Sequence, residues 1–334
     1  MAFDTIQSVT IEGFRSIRSI RDFPLRLINI LIGANGSGKS NFLEAFRFLG
    51  EANEGHMDSY VAYHNGANRI LHFGSKATRS AHVVTRSSNG FVLDAYYSYT
   101  ANDGLSGGTS RGGFVSSGPT FDLFQFQDTG NSSPFKTTNQ LDDNRSLRAN
   151  GSNLAAILFL LQKRHAASYA AIRRTVQQVA PFFDDFQLAP LALNPDTIKL
   201  EWRHKGSDQY FNASDFSDGT LRFIALATLF LQPVELRPSV ILVDEPELGL
   251  HPYAIELLAA LMRQASHETQ IIAATQSALL LDQFEPEDVL VADRVDGATT
   301  IQRLQPAPLA EWLEDYSLGQ LWQKGELEGR PGRE

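Results

Sequence analysis

Eight consecutive residues, Gly33–Ser40, constrain the fold of this chain more than any other stretch. Their sequence, GANGSGKS, matches the pattern G-x-x-x-x-G-K-[ST] at every defined position. The apolar residues 25–32 before it predict a buried strand, and the apolar spacing in residues 41–49 after it predicts a helix. Between a strand and a helix, glycines let backbone N–H groups point at a phosphate, and the helix N-terminus favours negative charge. The stretch therefore predicts a phosphate loop that binds a nucleoside triphosphate.

The phosphate loop supplies the first candidate site residues. Lys39 is expected to reach the β- and γ-phosphates, and the Ser40 hydroxyl is expected to ligate Mg²⁺. The nucleotide-binding residues predicted in and beside the loop are Asn35, Gly36, Gly38, Lys39, Ser40 and Asn41.

The composition limits what surrounds this loop. The chain has no cysteine, which excludes a disulfide framework, thiolate metal ligands and a cysteine nucleophile. Its N-terminus lacks the basic and apolar regions of a signal peptide, and its apolar runs are too short to span a bilayer. We therefore expect a cytoplasmic protein without a membrane partner. The net charge of −9 argues against a broad basic surface, so any contact with nucleic acid would be local or made through a partner.

The middle of the chain predicts strands followed by helices. Residues 82–87 and 91–100 flank an Asn-Gly turn and predict a β-hairpin. The residues at 101–120 are rich in Gly and Ser and predict a flexible loop. Residues 150–180 predict two helices, the first capped by Ser152 or Asn153, and two strands are predicted at 186–193 and 197–204.

Three histidines, His56, His64 and His72, lie in an irregular segment after the first helix. They lack the i, i+4 spacing of a metal-binding pair, so we interpret them as scattered loop residues.

A second motif follows far downstream. Ser239–Glu245 predicts an apolar strand that ends in two adjacent carboxylates, which is the Walker B pattern. Asp244 is expected to hold Mg²⁺ together with Ser40, and Glu245 is expected to polarise the attacking water as general base. Because successive side chains of a strand point to opposite sides, two neighbouring acids can have different roles.

The spacing of the motifs narrows the class of P-loop protein. Lys39 and Asp244 are 205 residues apart, more than a compact RecA-like core or a small GTPase requires. The guanine-reading motif N-K-x-D does not occur in the sequence. Between the two motifs lies Ser217–Thr220, SDGT, at the start of the apolar helix predicted for 221–231. A serine and a glycine at a helix start offer another anion-binding surface.

The order of these motifs resembles that of ABC-type ATPases of the RecF and SMC group, and most of all the compact RecF-like AAA-family ATPases of bacteria. The resemblance covers nearly the whole chain. Its carriers are IEGFRS at 11–16, the phosphate loop, SDGT at 217–220, DEPELGLHP at 244–252, TQS at 275–277 and YSLGQLW at 316–322. The resemblance implies an α/β fold, a P-loop NTPase of the ABC-type head class with an antiparallel β-lobe and an inserted helical lobe. No long coiled coil separates the motifs, unlike in SMC proteins.

The resemblance also implies how the chain is organised. Residues 1–334 would form a single ATPase head. Its expected parts are a P-loop core (1–50), a β-lobe (51–140), a helical lobe (141–195), a signature and Walker B core (196–306) and a C-terminal tail (307–334).

A mechanism follows from the same resemblance. Two ATP molecules would be sandwiched in a head-to-tail homodimer that forms on ATP binding. Ser217 and Gly219 would belong to the signature motif, which binds the γ-phosphate of ATP held by the other protomer. Residues 246–252 would communicate between the two sites. Arg15 matches the basic residue that approaches the phosphates in relatives, and a surface arginine is the alternative interpretation.

One position departs from the family pattern. Gln276 follows the strand predicted at 270–274, where many ABC ATPases place a switch histidine. Its amide can hydrogen-bond a γ-phosphate or a water, but it cannot carry a proton near neutral pH. We therefore predict slow ATP turnover, with Glu245 as the principal base and Gln276 as the second catalytic residue. His251 is close in sequence, but a histidine at a helix start is more often structural.

The sequence leaves two classes of function open. As a DNA-linked ATPase, the chain would clamp or scan duplex ends or gaps in repair and recombination. As a regulatory subunit, its ATP-dependent dimerisation would control a separate effector protein, a nuclease or a toxin, in phage defence. Glu245 argues against a third class, a nucleotide sensor that does not hydrolyse.

Overall fold

The phosphate loop joins a strand over Ile28–Ile32 to a helix over Lys39–Glu54, as the sequence predicts. The structure is a computed structural model that describes residues 3–113, 118–130 and 132–327 of the 334-residue chain. The chain divides into two units. The first comprises Met1–Leu123, Ser239–Glu245 and Thr269–Glu334, and the second comprises Phe124–Pro238 and Pro246–Glu268.

The first unit contains most of the strands. They are β1 (Ile6–Phe14), β2 (Ile17–Pro24), β3 (Ile28–Ile32), β4 (Ser80–Ser87), β5 (Val92–Tyr99), β6 (Leu105–Gly112), β7 (Phe121–Phe124), β14 (Val240–Asp244), β15 (Gln270–Thr275), β16 (Val289–Val295) and β17 (Ala298–Arg303). Its helices are α1 (Lys39–Glu54), α2 (Met57–Tyr63), α7 (Ala278–Leu281), α8 (Pro306–Asp315) and α9 (Leu318–Lys324).

The second unit contains the remaining elements. They are β8 (Asn139–Gln140), α3 (Leu154–Arg164), α4 (Ala166–Val179), β9 (Phe183–Gln187), β10 (Pro190–Leu191), β11 (Asn194–Ile198), β12 (Glu201–His204), β13 (Tyr210–Asn212), α5 (Asp218–Leu231) and α6 (Pro252–Ala265).

A mostly parallel sheet forms the centre of the first unit. Over the described residues its strand order is β17-β16-β3-β15-β14-β7. Strands β14, β15, β3 and β16 pair in parallel, and β17 pairs antiparallel with β16. Strands β14 and β15 are buried along their whole length, as expected for parallel strands that are covered on both faces.

A second sheet of the first unit is antiparallel, in the order β2-β1-β4-β5-β6. It includes the predicted hairpin, as β4 and β5. The prediction of a flexible loop over 101–120 is wrong for 105–112, because β6 pairs with β5 there. A side chain at Gly107 would place its Cβ 2.0 Å from the Tyr96 carbonyl oxygen, so glycine permits this close pairing. Residues 114–117 of the predicted loop lie outside the described residues.

Helix α1 ties both sheets of the first unit together. Its aromatic residues Phe42, Phe46 and Phe48 are fully buried in one hydrophobic cluster with residues of both sheets. The rings of Phe14 and Phe48 lie 5.3 Å apart, and those of Phe42 and Phe46 lie 5.6 Å apart. Since α1 begins at the phosphate loop, this packing determines the direction in which the helix N-terminus faces.

The second unit is built on helices α3, α4, α5 and α6 with short antiparallel strands. The two predicted strands at 186–193 and 197–204 are instead short strands of two separate sheets, β10-β11-β8 and β13-β12-β9. The predicted cap of α3 is also wrong in detail. Asn153 lies at the N-cap without a capping bond, and its Nδ2 donates to the carbonyl oxygens of Asp143 and Ser146.

These elements confirm a mixed α/β fold with an antiparallel sheet and added helices. Among the described residues, no helix combines the length and the apolar character that crossing a bilayer demands.

Candidate active site

Three sequence motifs of the first unit, namely the phosphate loop, the acidic pair at 244–245 and TQS at 275–277, meet at one edge of the central sheet. In its parallel strands, Ile32 of β3 pairs with Thr275 of β15, and Ala274 pairs with Asp244 of β14. Carboxyl ends of parallel strands lie at the same edge, so the residues that follow them share that edge. The phosphate loop, Glu245 and Gln276 each follow one of these strand ends.

The phosphate loop is held by close backbone packing. Gly38 has φ +105°, and a Cβ there would lie 2.0 Å from Oγ1 of Thr299. A Cβ at Gly33 would lie 2.4 Å from the carbonyl oxygen of Ala292. Both positions therefore require glycine, and the loop runs tightly around the N-terminus of α1.

Lys39 is directed into the loop. Its Nζ donates to the carbonyl oxygen of Gly33 at 2.7 Å and to that of Ala34 at 3.1 Å. The side chain is almost fully buried, at 5% exposure. The ammonium is thus held at the concave side of the loop, where a phosphate would receive its hydrogen bonds.

Ser40 and Asp244 form a site suited to a divalent cation. Asp244 ends β14 and is buried, and this burial raises the pKa of its carboxyl, while a hydrogen bond from Ser40 acts in the opposite direction. A hydroxyl and a carboxylate are oxygen ligands of the kind that Mg²⁺ prefers, and a bound cation would offset the cost of burying the carboxylate. The residues therefore fit Mg²⁺.

We expect Asp244→Asn to raise the melting temperature of the metal-free protein, because the neutral amide carries no charge into the buried site. The shift should be about 2–4 °C for each kcal/mol of burial cost removed. The same variant should lose the additional stabilisation by Mg²⁺ and ATP that the wild type shows. Thermal unfolding at pH 7.5, with and without Mg²⁺ and ATP, measures both effects.

Asp288→Asn is the matched control, since burial also raises the pKa of Asp288, which is the last residue of the short helical turn before β16. That variant should keep its response to Mg²⁺ and ATP. A lower melting temperature of metal-free Asp244→Asn would contradict the assignment.

Glu245 and Gln276 are in direct contact. Nε2 of Gln276 donates to Oε1 of Glu245 at 2.5 Å. The backbone N–H of Glu245 donates to the carbonyl oxygen of Ala274 at 2.8 Å, with Glu245 at φ +48°. A non-glycine residue at this φ is uncommon, and such residues concentrate at functional sites. The amide of Gln276 therefore orients the carboxylate of Glu245.

Arg15 is held in a polar cluster beside α1. Its guanidinium donates to Oδ1 of Asn41 at 3.3 Å, contacts Nδ1 of His64 at 2.9 Å and lies 3.7 Å from Oε1 of Glu44. Glu44 is buried and also accepts a hydrogen bond from the Tyr60 hydroxyl at 3.0 Å. Burial and the charge of Arg15 lower the pKa of His64. Arg15 is thus partly buried and fixed by partners, unlike a freely exposed surface arginine.

The cluster continues to the phosphate loop. Nδ2 of Asn41 donates to Oγ of Ser16 at 2.7 Å, and Oγ of Ser16 lies 2.7 Å from Oγ1 of Thr299. Thr299 in turn donates to the carbonyl oxygen of Ser37 at 2.8 Å. No local pattern in the sequence links segments so far apart in the chain, so this role could not be recognised from sequence for Ser16, Glu44, His64 and Thr299.

The other two histidines of the predicted irregular segment, His56 and His72, do not belong to this polar cluster. His72 is buried, and its Nδ1 lies 2.8 Å from the carbonyl oxygen of Arg15. His56 is exposed near Glu51 and Glu54. Within residues 3–113, 118–130 and 132–327, no group of three His, Cys, Asp or Glu side chains has the arrangement of a metal site.

The residues predicted to form the signature motif, Ser217 and Gly219, lie in the second unit, at the start of α5. Ser217 is the N-cap, and its Oγ accepts from the backbone N–H of Thr220 at 3.2 Å. A Cβ at Gly219 would lie 2.3 Å from the carbonyl oxygen of Gly249, so glycine allows the helix start to pack on residues 246–252. Nη1 of Arg222 donates to the carbonyl oxygen of Leu248 at 2.7 Å and strengthens this contact.

His251 has a structural role. It is the N-cap of α6, and its Nδ1 accepts from the backbone N–H of Tyr253 at 3.3 Å. This capping bond agrees with the structural interpretation of a histidine before Pro252.

The C-terminal motif packs beside the segment that follows Gln276. The N–H of Gly319, in α9, donates to Oδ1 of Asp282 at 2.5 Å. A Cβ at Gly319 would lie 2.4 Å from the carbonyl oxygen of Ala278 in α7. The tail therefore supports the short helix that begins two residues after Gln276.

Known proteins provide three kinds of similarity. The family model described as "AAA domain, putative AbiEii toxin, Type IV TA system" matches residues 28–94 and 109–282. A putative ABC transporter ATP-binding protein of Geobacter sulfurreducens is 31% identical over 127 residues, which cover 35% of this chain and 49% of that protein. The DNA replication and repair protein RecF of Shewanella denitrificans is 36% identical over 63 residues, which cover 18% of each chain. The chain thus spans about half or less of the length of these curated relatives.

The fold itself is similar to that of SMC heads. The Smc head domain with an extended coiled coil from Pyrococcus furiosus, solved bound to the C-terminal domain of ScpA, superposes with a TM-score of 0.62. The match covers 93% of this chain and 99% of that one at 16% identity, so it concerns the fold alone. The predictions of an ABC-type head fold and of a RecF/SMC-like ATPase are confirmed.

Proposed function

The chain is an ATPase that belongs to the family described as "AAA domain, putative AbiEii toxin, Type IV TA system", and from this premise we propose that it hydrolyses ATP between two copies of itself. The observation that carries the proposal is the shared sheet edge of Lys39, Asp244, Glu245 and Gln276. At this edge lie a lysine that can bind phosphates, a hydroxyl and a carboxylate that can bind Mg²⁺, and the carboxylate of Glu245, which Gln276 orients. This is the set of groups that phosphoryl transfer to water needs.

Each group has one task in the proposed reaction. Lys39 binds the β- and γ-phosphates, and Ser40 and Asp244 would hold Mg²⁺, which would supply positive charge against the charge that develops on the phosphate oxygens. Glu245 accepts the proton of the attacking water, and Gln276 holds the Glu245 carboxylate in place. Because glutamine cannot relay a proton, turnover is slow.

The second copy supplies the signature motif. Ser217 is exposed at the N-terminus of α5, where a hydroxyl and the backbone N–H groups of the first helical turn suit a γ-phosphate. Two copies in head-to-tail arrangement then form two composite sites.

Mixing two inactive variants tests the composite site. Ser217→Asp keeps the N-cap, since aspartate caps as well as serine does, but its charge repels a phosphate. Lys39→Ala removes the phosphate lysine. Each variant alone should be inactive, whereas an equal mixture should recover about a quarter of the wild-type rate, because half of the dimers carry one intact site out of two.

Ser217→Asn is the matched control, because it keeps the cap without the charge and should retain most activity. If Ser217→Asp alone hydrolyses ATP at the wild-type rate, or if the mixture stays inactive although both variants fold and form mixed dimers with ATP, the composite site is wrong.

We consider two biological roles for this ATPase, and one observation favours each of them. The similarity to RecF proteins favours a DNA-linked role in repair or recombination. The family description, which refers to a toxin of a toxin–antitoxin system, favours a regulatory role towards a separate effector in phage defence. We place the DNA-linked role first, because the resemblance to RecF includes the motif order along the chain.

Duplex DNA with a single-stranded gap distinguishes the two roles. Stimulation of ATP hydrolysis by gapped DNA, with ATP-dependent dimers retained on it, supports the DNA-linked role. An ATP-dependent dimer that ignores DNA supports the regulatory role and directs the search to an effector protein.

A further inference from the structure

The imidazole of His64 lies between the guanidinium of Arg15 and the carboxylate of Glu44. His64 ends α2 as its C-cap, and its side chain is 15% exposed. Nη2 of Arg15 lies 2.9 Å from Nδ1 of His64 and 3.3 Å from Nε2. Nε2 of His64 in turn lies 3.0 Å from Oε1 of Glu44. The ring therefore bridges a cation and an anion of the polar cluster.

The neutral state of His64 with its proton on Nε2 satisfies both contacts. A guanidinium has N–H donors and no acceptor, so Nδ1 must present its lone pair to Arg15. A carboxylate accepts, so Nε2 must carry the proton that it donates to Glu44. Protonation of Nδ1 would place an N–H against the N–H of Arg15 and a second positive charge beside the guanidinium. It would therefore break the contact with Arg15.

Titratable groups face this ring from three elements. They are Arg15 from the turn after β1, Glu44 and Arg47 from α1, and Tyr60 and Tyr63 from α2. Burial of His64 and the charge of Arg15 lower the pKa of the imidazole, while Glu44 acts in the opposite direction. Since the ordinary pKa of histidine is about 6.5, His64 is neutral near pH 7 and takes up a proton only in more acidic solution.

The backbone of Arg15 is fixed independently of its side chain. The N–H of Arg15 donates to the carbonyl oxygen of Ile70 at 2.7 Å, and the carbonyl oxygen of Arg15 accepts from Nδ1 of His72 at 2.8 Å. Arg15 has φ +49°, which is uncommon for a residue other than glycine. Because the backbone is held, the side-chain partners decide where the guanidinium lies.

The contact with Asn41 shows where the guanidinium is directed. Asn41 lies in the first turn of α1, two residues after Lys39, and its Oδ1 accepts from Nη1 of Arg15 at 3.3 Å. The Arg15 side chain is 23% exposed, and a guanidinium has more N–H donors than these contacts use. Arg15 can therefore keep its internal partners and still donate to an anion beside the phosphate loop.

We propose that His64 is the positioning residue of Arg15, and that it holds the guanidinium ready for a nucleotide phosphate only as a neutral imidazole. The inference rests on the proposed function and deepens it, since it takes Arg15 to contact the nucleotide held by the phosphate loop. It adds a condition to that site, because ATP affinity should fall as His64 is protonated. The sign follows from the charges, since an imidazolium repels the guanidinium and competes with it for Glu44.

Titration of the full chain with AMP-PNP and Mg²⁺, between about pH 5 and pH 8, tests this inference. AMP-PNP is an ATP analogue whose β–γ bridge resists hydrolysis. Near neutral pH, Arg15→Ala and His64→Ala should each weaken binding by about tenfold, because a charge-assisted hydrogen bond is lost or misplaced. His64→Gln keeps an acceptor and a donor on one terminal group that does not titrate. It should keep most of the wild-type affinity near neutral pH.

The comparison of wild type with His64→Gln over the pH range is the decisive readout. The analogue itself titrates alike in every sample, so the ratio of the two affinities at each pH isolates His64. We expect the wild type to lose affinity relative to His64→Gln as the pH falls, by about tenfold at the acidic end. If His64→Ala fails to fold, this ratio still decides the question.

A double-mutant cycle distinguishes positioning from a merely structural role. In the Arg15→Ala background, His64→Ala should have almost no further effect on binding, because the residue that it positions is gone. His56→Gln is the matched control. His56 is an exposed histidine near Glu51 and Glu54, so its replacement should change neither the affinity nor its pH dependence.

Three results would overturn the inference while the assignment of the phosphate loop stands. In the first, Arg15→Ala binds the analogue as tightly as the wild type does. In the second, His64→Ala weakens binding equally with and without Arg15. In the third, His64→Gln and the wild type lose affinity in parallel as the pH falls. If the wild type binds no analogue at any pH, the proposed function fails and the inference fails with it.

Discussion

Glu245→Gln should reduce ATP turnover by about 100- to 1000-fold while ATP binding persists, because general-base catalysis contributes on that scale. The substitution is isosteric and leaves Lys39 and Asp244 in place, so the groups proposed to hold phosphate and Mg²⁺ are intact. The variant should therefore accumulate as an ATP-bound dimer. Single-turnover kinetics measure the expected loss of hydrolysis. The molecular mass in solution, with and without ATP and Mg²⁺, shows whether the ATP-bound dimer accumulates.

Glu256→Gln is the matched control for this prediction. Glu256 lies on an exposed face of α6, so its neutralisation should leave turnover and mass unchanged. Hydrolysis by Glu245→Gln at the wild-type rate would show that another group removes the proton from water. Loss of ATP binding in that variant would instead place Glu245 among the nucleotide-binding groups.

Lys39→Ala should weaken ATP binding by about 100-fold or more, because charge-assisted hydrogen bonds to two phosphates are lost together. The variant also removes the hydrogen bonds from Nζ to the carbonyl oxygens of Gly33 and Ala34. The phosphate loop therefore loses both its ligand contact and an internal support. Equilibrium titration with ATP, with thermal unfolding of the same samples, measures affinity and stability together.

Lys39→Arg distinguishes the loss of positive charge at the phosphates from the loss of the hydrogen bonds within the loop. Arginine keeps the positive charge but carries it on a planar guanidinium instead of an ammonium. The Lys39→Arg variant should bind ATP better than Lys39→Ala does and more weakly than the wild type. Lys205→Ala removes an exposed lysine of the second unit and should leave ATP affinity unchanged. Wild-type affinity in Lys39→Ala would contradict the assignment of the loop.

The structure changes the interpretation of two segments. Residues 101–120 are predicted to be flexible from their glycines and serines, yet cross-strand pairing with β5 makes 105–112 the strand β6. Amino-acid composition indicates which backbone conformation an isolated segment prefers. Hydrogen bonding and side-chain packing with a neighbouring strand can override that preference. The predicted cap of α3 was wrong for a similar reason. The side chain of Asn153 forms hydrogen bonds with a neighbouring loop instead of with the first turn of α3.

The candidate site separates into a local part and a part assembled across the chain. Gly33–Ser40 and the acidic pair Asp244-Glu245 were recognisable from sequence, because a tight loop and a strand end each depend on adjacent residues. The polar cluster of Arg15, Glu44 and His64 was not recognisable, because its members come from the turn after β1, from α1 and from the end of α2.

By itself the sequence determined the motif order, the phosphate loop and the class of fold, since these depend on residue types at short and regular spacing. Only the tertiary structure decided that Gln276 hydrogen-bonds Glu245 and that internal partners, among them His64, fix Arg15. These contacts join segments that are distant in the chain. Their geometry follows from strand register and helix packing, which no short pattern of residues encodes.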